Sequence, residues 1–316
     1  MSDIFFDELN IPKPAYNLGI SGVGHGAMTG RMLEGLEQVF LKEKPDWVLV
    51  FGDINSTIAG ALAASKLHIP IAHVEAGLRS FNRKMPEEIN RILTDHCADL
   101  LFTPTAAATQ NLNDEGIAAG KISEVGDVMQ DAAILFGDLA KNRETIAERL
   151  ELVAGQFILA TVHRQENTDH PDRLAAIVEG LCLIASEIPV ILPLHPRTRA
   201  RVDAQGIKPG RGVRIIEPIG FIDMIALERA SALVVTDSGG VQKEAYFQRV
   251  HCVTLRDETE WTELVASGWN KLCPPTSGKA IADAVCAAIG TVGQDNALYG
   301  TGNASQRIAH QMSAMS

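Results

Sequence analysis

The passage from His73 to Arg91 crowds charge into one loop: Glu75 beside Gly77, then Arg79, Arg83 and Lys84, then Glu87 and Glu88 after Pro86. Polar groups gathered on a loop between rigid elements are the usual setting for binding and catalysis. Pro86 suits the first turn of a helix, where its missing N–H costs nothing, and the helix dipole favours ionised Glu87 and Glu88 there. That bland account suffices for Glu88. It does not cover Glu75, which ends a strand with no helix end nearby. Asp53 ends the preceding strand Trp47–Phe51. In a β-α-β unit the carboxyl ends of neighbouring parallel strands open on one crevice, so both carboxylates are expected in it.

The second half of the chain carries groups suited to an anion. In Asp237-Ser238-Gly239-Gly240 the glycines let backbone N–H groups approach closely, and the following helix offers its N-terminus. An ordinary tight strand-to-helix turn would explain this motif alone. His163, His195, Arg197 and Arg256, however, all end strands on the same side of the same predicted sheet, as a diphosphate site requires. Glu244, four residues past Gly240, is read either as a solvated helix carboxylate or as a bidentate acceptor for two ribose hydroxyls, by analogy with acidic residues of other nucleotide folds. Ser21-Gly22-Val23-Gly24-His25-Gly26 has the wrong glycine spacing, and no apolar strand before it, for a dinucleotide loop.

The elements that must position these residues alternate strand and helix throughout. Helix Ala27–Glu43 leads into strand Trp47–Phe51, a continuous apolar run expected to be buried on both faces, then helix Ile58–Leu67 and strand Ile69–Val74. A helix from Pro86, strand Leu100–Phe102 and helix Ala106–Asp114 follow. Val125–Val128 closes this half, and residues 129–150 are predicted as one helix leading out of it. Strands Phe157–Val162, Val190–Leu194, Val213–Ile216, Ala232–Thr236 and, as the last, Cys252–Leu255 build the second half. The pattern predicts an α/β fold of two domains, residues 1–145 and 146–304, with residues 305–316 packing back on the first.

Composition bounds the function. A net charge of −11 argues against a nucleic-acid or membrane-surface binder, so an anionic ligand needs a local basic pocket. Five cysteines without C-x-x-C spacing suggest neither a disulfide framework nor a zinc site, and point to a reducing cytoplasm. No apolar run reaches membrane-spanning length, and the first residues lack a secretory pattern.

Gly52–Thr57, His73–Arg79, Met85–Arg91, His163–Asn167 and Asp237–Ala245 together resemble the non-hydrolysing UDP-N-acetylglucosamine 2-epimerases, in order and over nearly the whole chain. Val125–Asp131 and Leu255–Trp261 look most like the branch acting on UDP-2,3-diacetamido-2,3-dideoxy-glucuronate. The resemblance implies two Rossmann-like domains facing a cleft, as in GT-B glycosyltransferases, with UDP on the C-terminal domain and the sugar in the cleft. Family members open with a further β-α-β unit; this sequence starts after it, so the first domain is expected to be N-terminally truncated.

Inversion at C2 of a UDP-sugar cannot begin by simple proton abstraction, because no carbonyl flanks C2. Oxidation at C3 would use a nicotinamide, for which the sequence shows no fingerprint, so no cofactor and no metal are expected. The other route expels UDP from C1 while a base takes the C2 proton, giving a glycal to which UDP and a proton add back. It needs carboxylates around C2 and cations on the diphosphate. Asp53, Glu75, Glu87 and His163 are the expected catalytic residues. The expected substrate-binding set is Arg79, Arg91, His195, Arg197, Phe221, Ser238, Gly239, Gly240, Glu244 and Arg256. A cytoplasmic homodimer acting on a UDP-sugar is implied. A GT-B glycosyltransferase, which would need an acceptor, and a UDP-sugar-binding protein with impaired catalysis are the competing readings.

Overall fold

The computed structural model describes Leu9 and residues 11–140, 144–194, 196–206, 210, 212–294 and 296–315. Two compact units share the chain: Lys13–Asp131 with Ala297–Ser316, here the N-terminal unit, and Ala132–Asn296, the core of the C-terminal unit. These divisions fall at 131/132 and 296/297, where the sequence pattern suggested 145/146 and 304/305.

The N-terminal unit holds a parallel sheet in the order β1 (Val48–Phe51), β2 (Ile71–Val74), β3 (Leu100–Thr103), β4 (Ile122–Glu124). Its strands are connected through helices α2 (Asn55–Lys66), α3 (Pro86–Cys97) and α4 (Ala106–Asp114), and α1 (His25–Glu43) precedes β1. Because side chains alternate along a strand, the sheet sends Val48, Val50, Ile71 and Leu101 into one cluster with Ala61 and Ala64 of α2. Ala72, Val74, Leu100 and Phe102 face the other way, toward Ala304 and Ile308 of α14 (Ala304–Ser313). Asp131 caps that helix, accepting the backbone N–H of Ala304 at 3.1 Å and of Ser305 at 2.7 Å.

Strand β1 departs from the expectation of burial on both faces. Val48 and Val50 are buried, but Leu49 and Phe51 are 38% and 54% exposed. The strand lies at the sheet edge, and the apolar run alone cannot distinguish an edge from a centre. Residues 125–127 follow β4 without regular structure, with Gly126 at φ +92° against the Tyr299 carbonyl. The long helix expected over 129–150 is two pieces: α5 (Val128–Ala140) and α6 (Ile146–Arg149), the latter opened by a capping box of Thr145 and Glu148.

The C-terminal unit is a six-stranded parallel sheet ordered β10 (Asn270–Leu272), β9 (Cys252–Thr254), β8 (Leu233–Thr236), β5 (Ile158–Thr161), β6 (Val190–Pro193), β7 (Val213–Ile216). Ile158, Ala160, Leu192 and Val235 pack on one face, Leu159, Ile191 and Val234 on the other, so these runs are buried on both sides. Strand β10, beyond the expected last strand, is short and reads Asn-Lys-Leu; pairing with β9, not pattern, makes it a strand. No helix among the described residues is long and apolar enough to cross a membrane. The α/β fold of two Rossmann-like units expected from the sequence is the fold observed.

Candidate active site

In the N-terminal unit, register places the carboxylates. Phe51 pairs with Val74 and the Gly52 N–H donates to the Val74 carbonyl at 3.1 Å, so Asp53 and Glu75 leave neighbouring strand ends together. The Glu75 Oε2 rests over Gly52, 3.3 Å from where a Cβ would stand. Glu75 itself sits at φ +72°, a left-handed conformation that costs a non-glycine residue about 1–3 kcal/mol and persists only where its surroundings enforce it. Here the Phe102 carbonyl accepts both the Glu75 and Ala76 N–H groups at 3.1 Å. Behind this turn the buried His73 bridges Asp95 Oδ1 at 2.7 Å and the Gly52 carbonyl at 2.8 Å.

Glu87 and Glu88, adjacent in sequence, have different fates. Glu88 is buried, and its carboxylate accepts from the Ser80 N–H and Oγ–H, the Phe81 N–H and Arg91 Nη1, all within 3.0 Å. It is the clasp of the 77–85 loop. Glu87, about 100° further round the helix, is half-buried, and its side chain has no partner among the described residues.

Two arginines depart from the expected substrate contact. Arg79 is buried and its guanidinium is spent on Glu115 at 2.6 and 2.7 Å, Asp95 at 2.7 Å and the Leu78 carbonyl at 2.6 Å. Burial works against its charge, but Glu115 and Asp95 outweigh that and raise its pKa. Arg91, also buried, grips Asp53 and Glu88. Both act on the carboxylates and the loop from behind. Asp95 and Glu115 carry this network and were not among the expected site residues, since neither lies at a strand end.

In the C-terminal unit a buried carboxylate, Asp237, builds the anion-facing turn. It accepts from the backbone N–H groups of His163 at 3.0 Å and Arg164 at 3.1 Å, and from Asn167 Nδ2 at 3.0 Å. His163 Nδ1 lies 3.6 Å from Asp237 Oδ1, its side chain is about half exposed (49%), and Nε2 has no partner among the described residues. Ser238 caps α11 (Gly239–Phe247), whose first turn is Gly239-Gly240. A Cβ on Gly239 would stand 2.6 Å from Glu260 Oε1. Arg256, expected at the diphosphate, is buried and holds Glu260 Oε2 at 3.0 Å, so it meets this turn through that carboxylate. His195 lies outside the described residues, as does the side chain of Arg197, whose backbone is in α9 (Pro196–Ala204).

Beside the turn is a cavity of about 320 Å³ with mainly apolar walls, among them Val162, His163, Pro218, Phe221 and Met224. Phe221 opens α10 (Phe221–Ala230) and meets Phe136 edge to face, with centroids 5.7 Å apart. Glu244 is half-buried on α11, so the solvated reading fails. Burial pushes its carboxyl upward, while the neighbouring Glu228 and the charge of Lys243 pull it back. Lys243 is fully buried, its Nζ 3.9 Å from the centre of the Trp261 ring.

The chain that carries this strand-end carboxylate set and this glycine helix turn matches a known family profile. That profile, UDP-N-acetylglucosamine 2-epimerase, matches residues 1–313. The chain belongs to the UDP-N-acetylglucosamine 2-epimerase family. A relative in this family, the UDP-2,3-diacetamido-2,3-dideoxy-D-glucuronate 2-epimerase of Pseudomonas aeruginosa, is 54% identical over 318 residues, covering 100% of this chain and 88% of that protein. The UDP-N-acetylglucosamine 2-epimerase of Methanocaldococcus jannaschii is 47% identical over 289 residues, 89% of this chain and 79% of its own. A crystal structure of the Methanocaldococcus jannaschii UDP-GlcNAc 2-epimerase, in complex with UDP-GlcNAc and UDP, superposes with a TM-score of 0.93 at 43% identity, covering 99% of this chain and 88% of that one.

Proposed function

We propose that this protein inverts C2 of a UDP-N-acetylated amino sugar, of the UDP-GlcNAc or UDP-2,3-diacetamido-glucuronate type, by eliminating UDP and adding it back. The observation that carries this reading is the strand-end geometry of the N-terminal unit. Asp53 is aimed by Arg91, Glu75 is held in a left-handed turn, and Glu87 is half-buried with no ion pair among the described residues. In the forward half-reaction one carboxylate takes the C2 proton and the C2–H electron pair forms the C1–C2 double bond. The C1–O bond breaks and its electrons leave with UDP. In the return half, UDP oxygen attacks C1 and a protonated carboxyl on the opposite face delivers hydrogen to C2. A carboxyl group on each face of C2 would serve as base in one direction and acid in the other.

The C-terminal unit would hold UDP. The first N–H groups of α11 and the half-exposed imidazole of His163 suit the diphosphate, and the cavity beside Phe221 suits a flat base. Glu244 would accept the ribose hydroxyls. Arg79 and Arg91 are positioning residues in this scheme, and Arg256 positions Glu260. Five free cysteines support a reducing cytoplasm, and work as a homodimer on polysaccharide precursors is part of the same proposal.

Incubation with each candidate UDP-sugar in deuterated water tests it. The expected result is the C2 epimer carrying deuterium at C2 in both recovered isomers. Epimer without deuterium would overturn the elimination route, and product that requires an added acceptor would make the protein a glycosyltransferase.

A further inference from the structure

Glu228, on α10, has no solvent exposure, and neither of its carboxyl oxygens meets a hydrogen-bond donor among the described residues. A bare carboxylate in such a place has lost water and gained nothing in return. The group it faces is another carboxyl, Glu244 of the adjacent helix α11. Two acceptors cannot bond each other, whereas an acid and a carboxylate can. We propose that Glu228 is kept as the neutral acid and donates its O–H to the Glu244 carboxylate, making it the positioning residue for the group that takes the ribose hydroxyls. This rests on the ribose reading of Glu244 given above.

The surroundings decide which partner holds the proton. Glu228 is the deeper of the two, and burial followed by the Glu244 charge pushes its carboxyl well above the usual range. Glu244 also has the Lys243 charge beside it, which favours its ionised form. From β9, Cys252 lies near Glu228, and burial pushes its thiol up to about 12, so it adds no charge. On α10 itself Arg229 turns away, its Nε donating to Gln248 at 2.9 Å. A neutral donor anchors Glu244 without cancelling its charge, as an arginine partner would. A carboxylate has room for about four hydrogen bonds, so one spent on Glu228 leaves acceptors for two adjacent hydroxyls. When rising pH ionises Glu228, two like charges face each other, Glu244 is displaced and UDP binding weakens.

Infrared spectra of the full chain at neutral pH provide the first test. A carboxylic-acid C=O band is expected in the wild type and absent from Glu228→Gln; no band in the wild type overturns the proposal. Calorimetry with UDP and with 2′,3′-dideoxy-UDP provides the second. Glu228→Gln keeps a donor, so UDP affinity should stay within about threefold and its fall at high pH should vanish. Glu228→Met has no donor, and should bind UDP about tenfold more weakly while binding dideoxy-UDP as the wild type does. A preference for UDP over dideoxy-UDP that vanishes in Glu244→Ala but survives intact in Glu228→Met overturns the proposal alone. A preference that survives Glu244→Ala overturns the ribose reading and the proposal with it. The infrared measurement holds even if Glu228→Met does not fold.

Discussion

Arg91 holds Asp53 through two N–H groups, Nη2 at 2.5 Å and Nε at 3.1 Å, while Nη1 reaches Glu88 at 2.9 Å. One buried guanidinium thus ties a candidate catalytic carboxylate to the clasp of the loop beside it, so the loop cannot open without releasing Asp53.

Arg91→Lys keeps the charge and loses the fork, since an ammonium is a point donor. Turnover should fall by about a hundredfold or more as Asp53 loses its orientation. UDP affinity, measured by calorimetry, should stay at the wild-type value because the proposed UDP groups belong to the other unit. Wild-type kcat in Arg91→Lys would show that Asp53 needs no fixed orientation.

Glu87→Gln and Glu88→Gln should separate chemistry from stability. Glu87→Gln is expected to lower kcat by at least about a hundredfold and leave the melting temperature unchanged. Glu88→Gln removes the charge facing buried Arg91 and one acceptor of the loop, and should cost about 3–5 kcal/mol in urea unfolding. Reversed phenotypes would make Glu88 the catalytic member.

Gly239→Ala places a methyl only 2.6 Å from Glu260 Oε1, and Glu260 cannot retreat without disturbing its 3.0 Å contact with Arg256. The first turn of α11 should distort, weakening UDP binding by about tenfold. Calorimetry giving wild-type affinity would remove this turn from the diphosphate site.

Two carboxyls should shape the pH dependence of stability in opposite directions. The hydrogen bond from Arg79 lowers the Glu115 pKa from its ordinary 4.5, so its contribution is present above 4.5 and is lost as pH falls through the lowered folded value. Burial raises that of Glu228, so its contribution is present below 4.5 and fades as pH rises toward the raised value. Urea midpoints across pH should show a flatter acid limb in Glu115→Gln and a flatter decline above pH 4.5 in Glu228→Gln. An unchanged profile in either variant would contradict the burial and pairing described.

The strand-helix alternation was legible because parallel strands buried on both faces are runs such as Leu233-Val234-Val235-Thr236, and polar residues at their ends stand out against them. Asp53 and Glu75 follow from that local pattern, as does the contrast of Glu87 with Glu88 from helical rotation. Periodicity and end residues are local quantities, carried by a few neighbouring positions. Burial and partnership are not. Arg79 and Arg91 look like substrate cations in sequence, and become internal props only because Asp95, Glu115, Glu88 and Asp53 are folded against them. Strand β1 is half open because it lies at an edge, and Asn270–Leu272 is a strand because β9 lies beside it. Glu228 reads as a helix carboxylate like any other until the packing of α10 on α11 excludes water from it and leaves Glu244 as the group it faces. The sequence alone determined which chemistry the chain carries to its strand ends; the tertiary structure decided which of those charges are free to use, because a charge is free only when no buried partner already holds it.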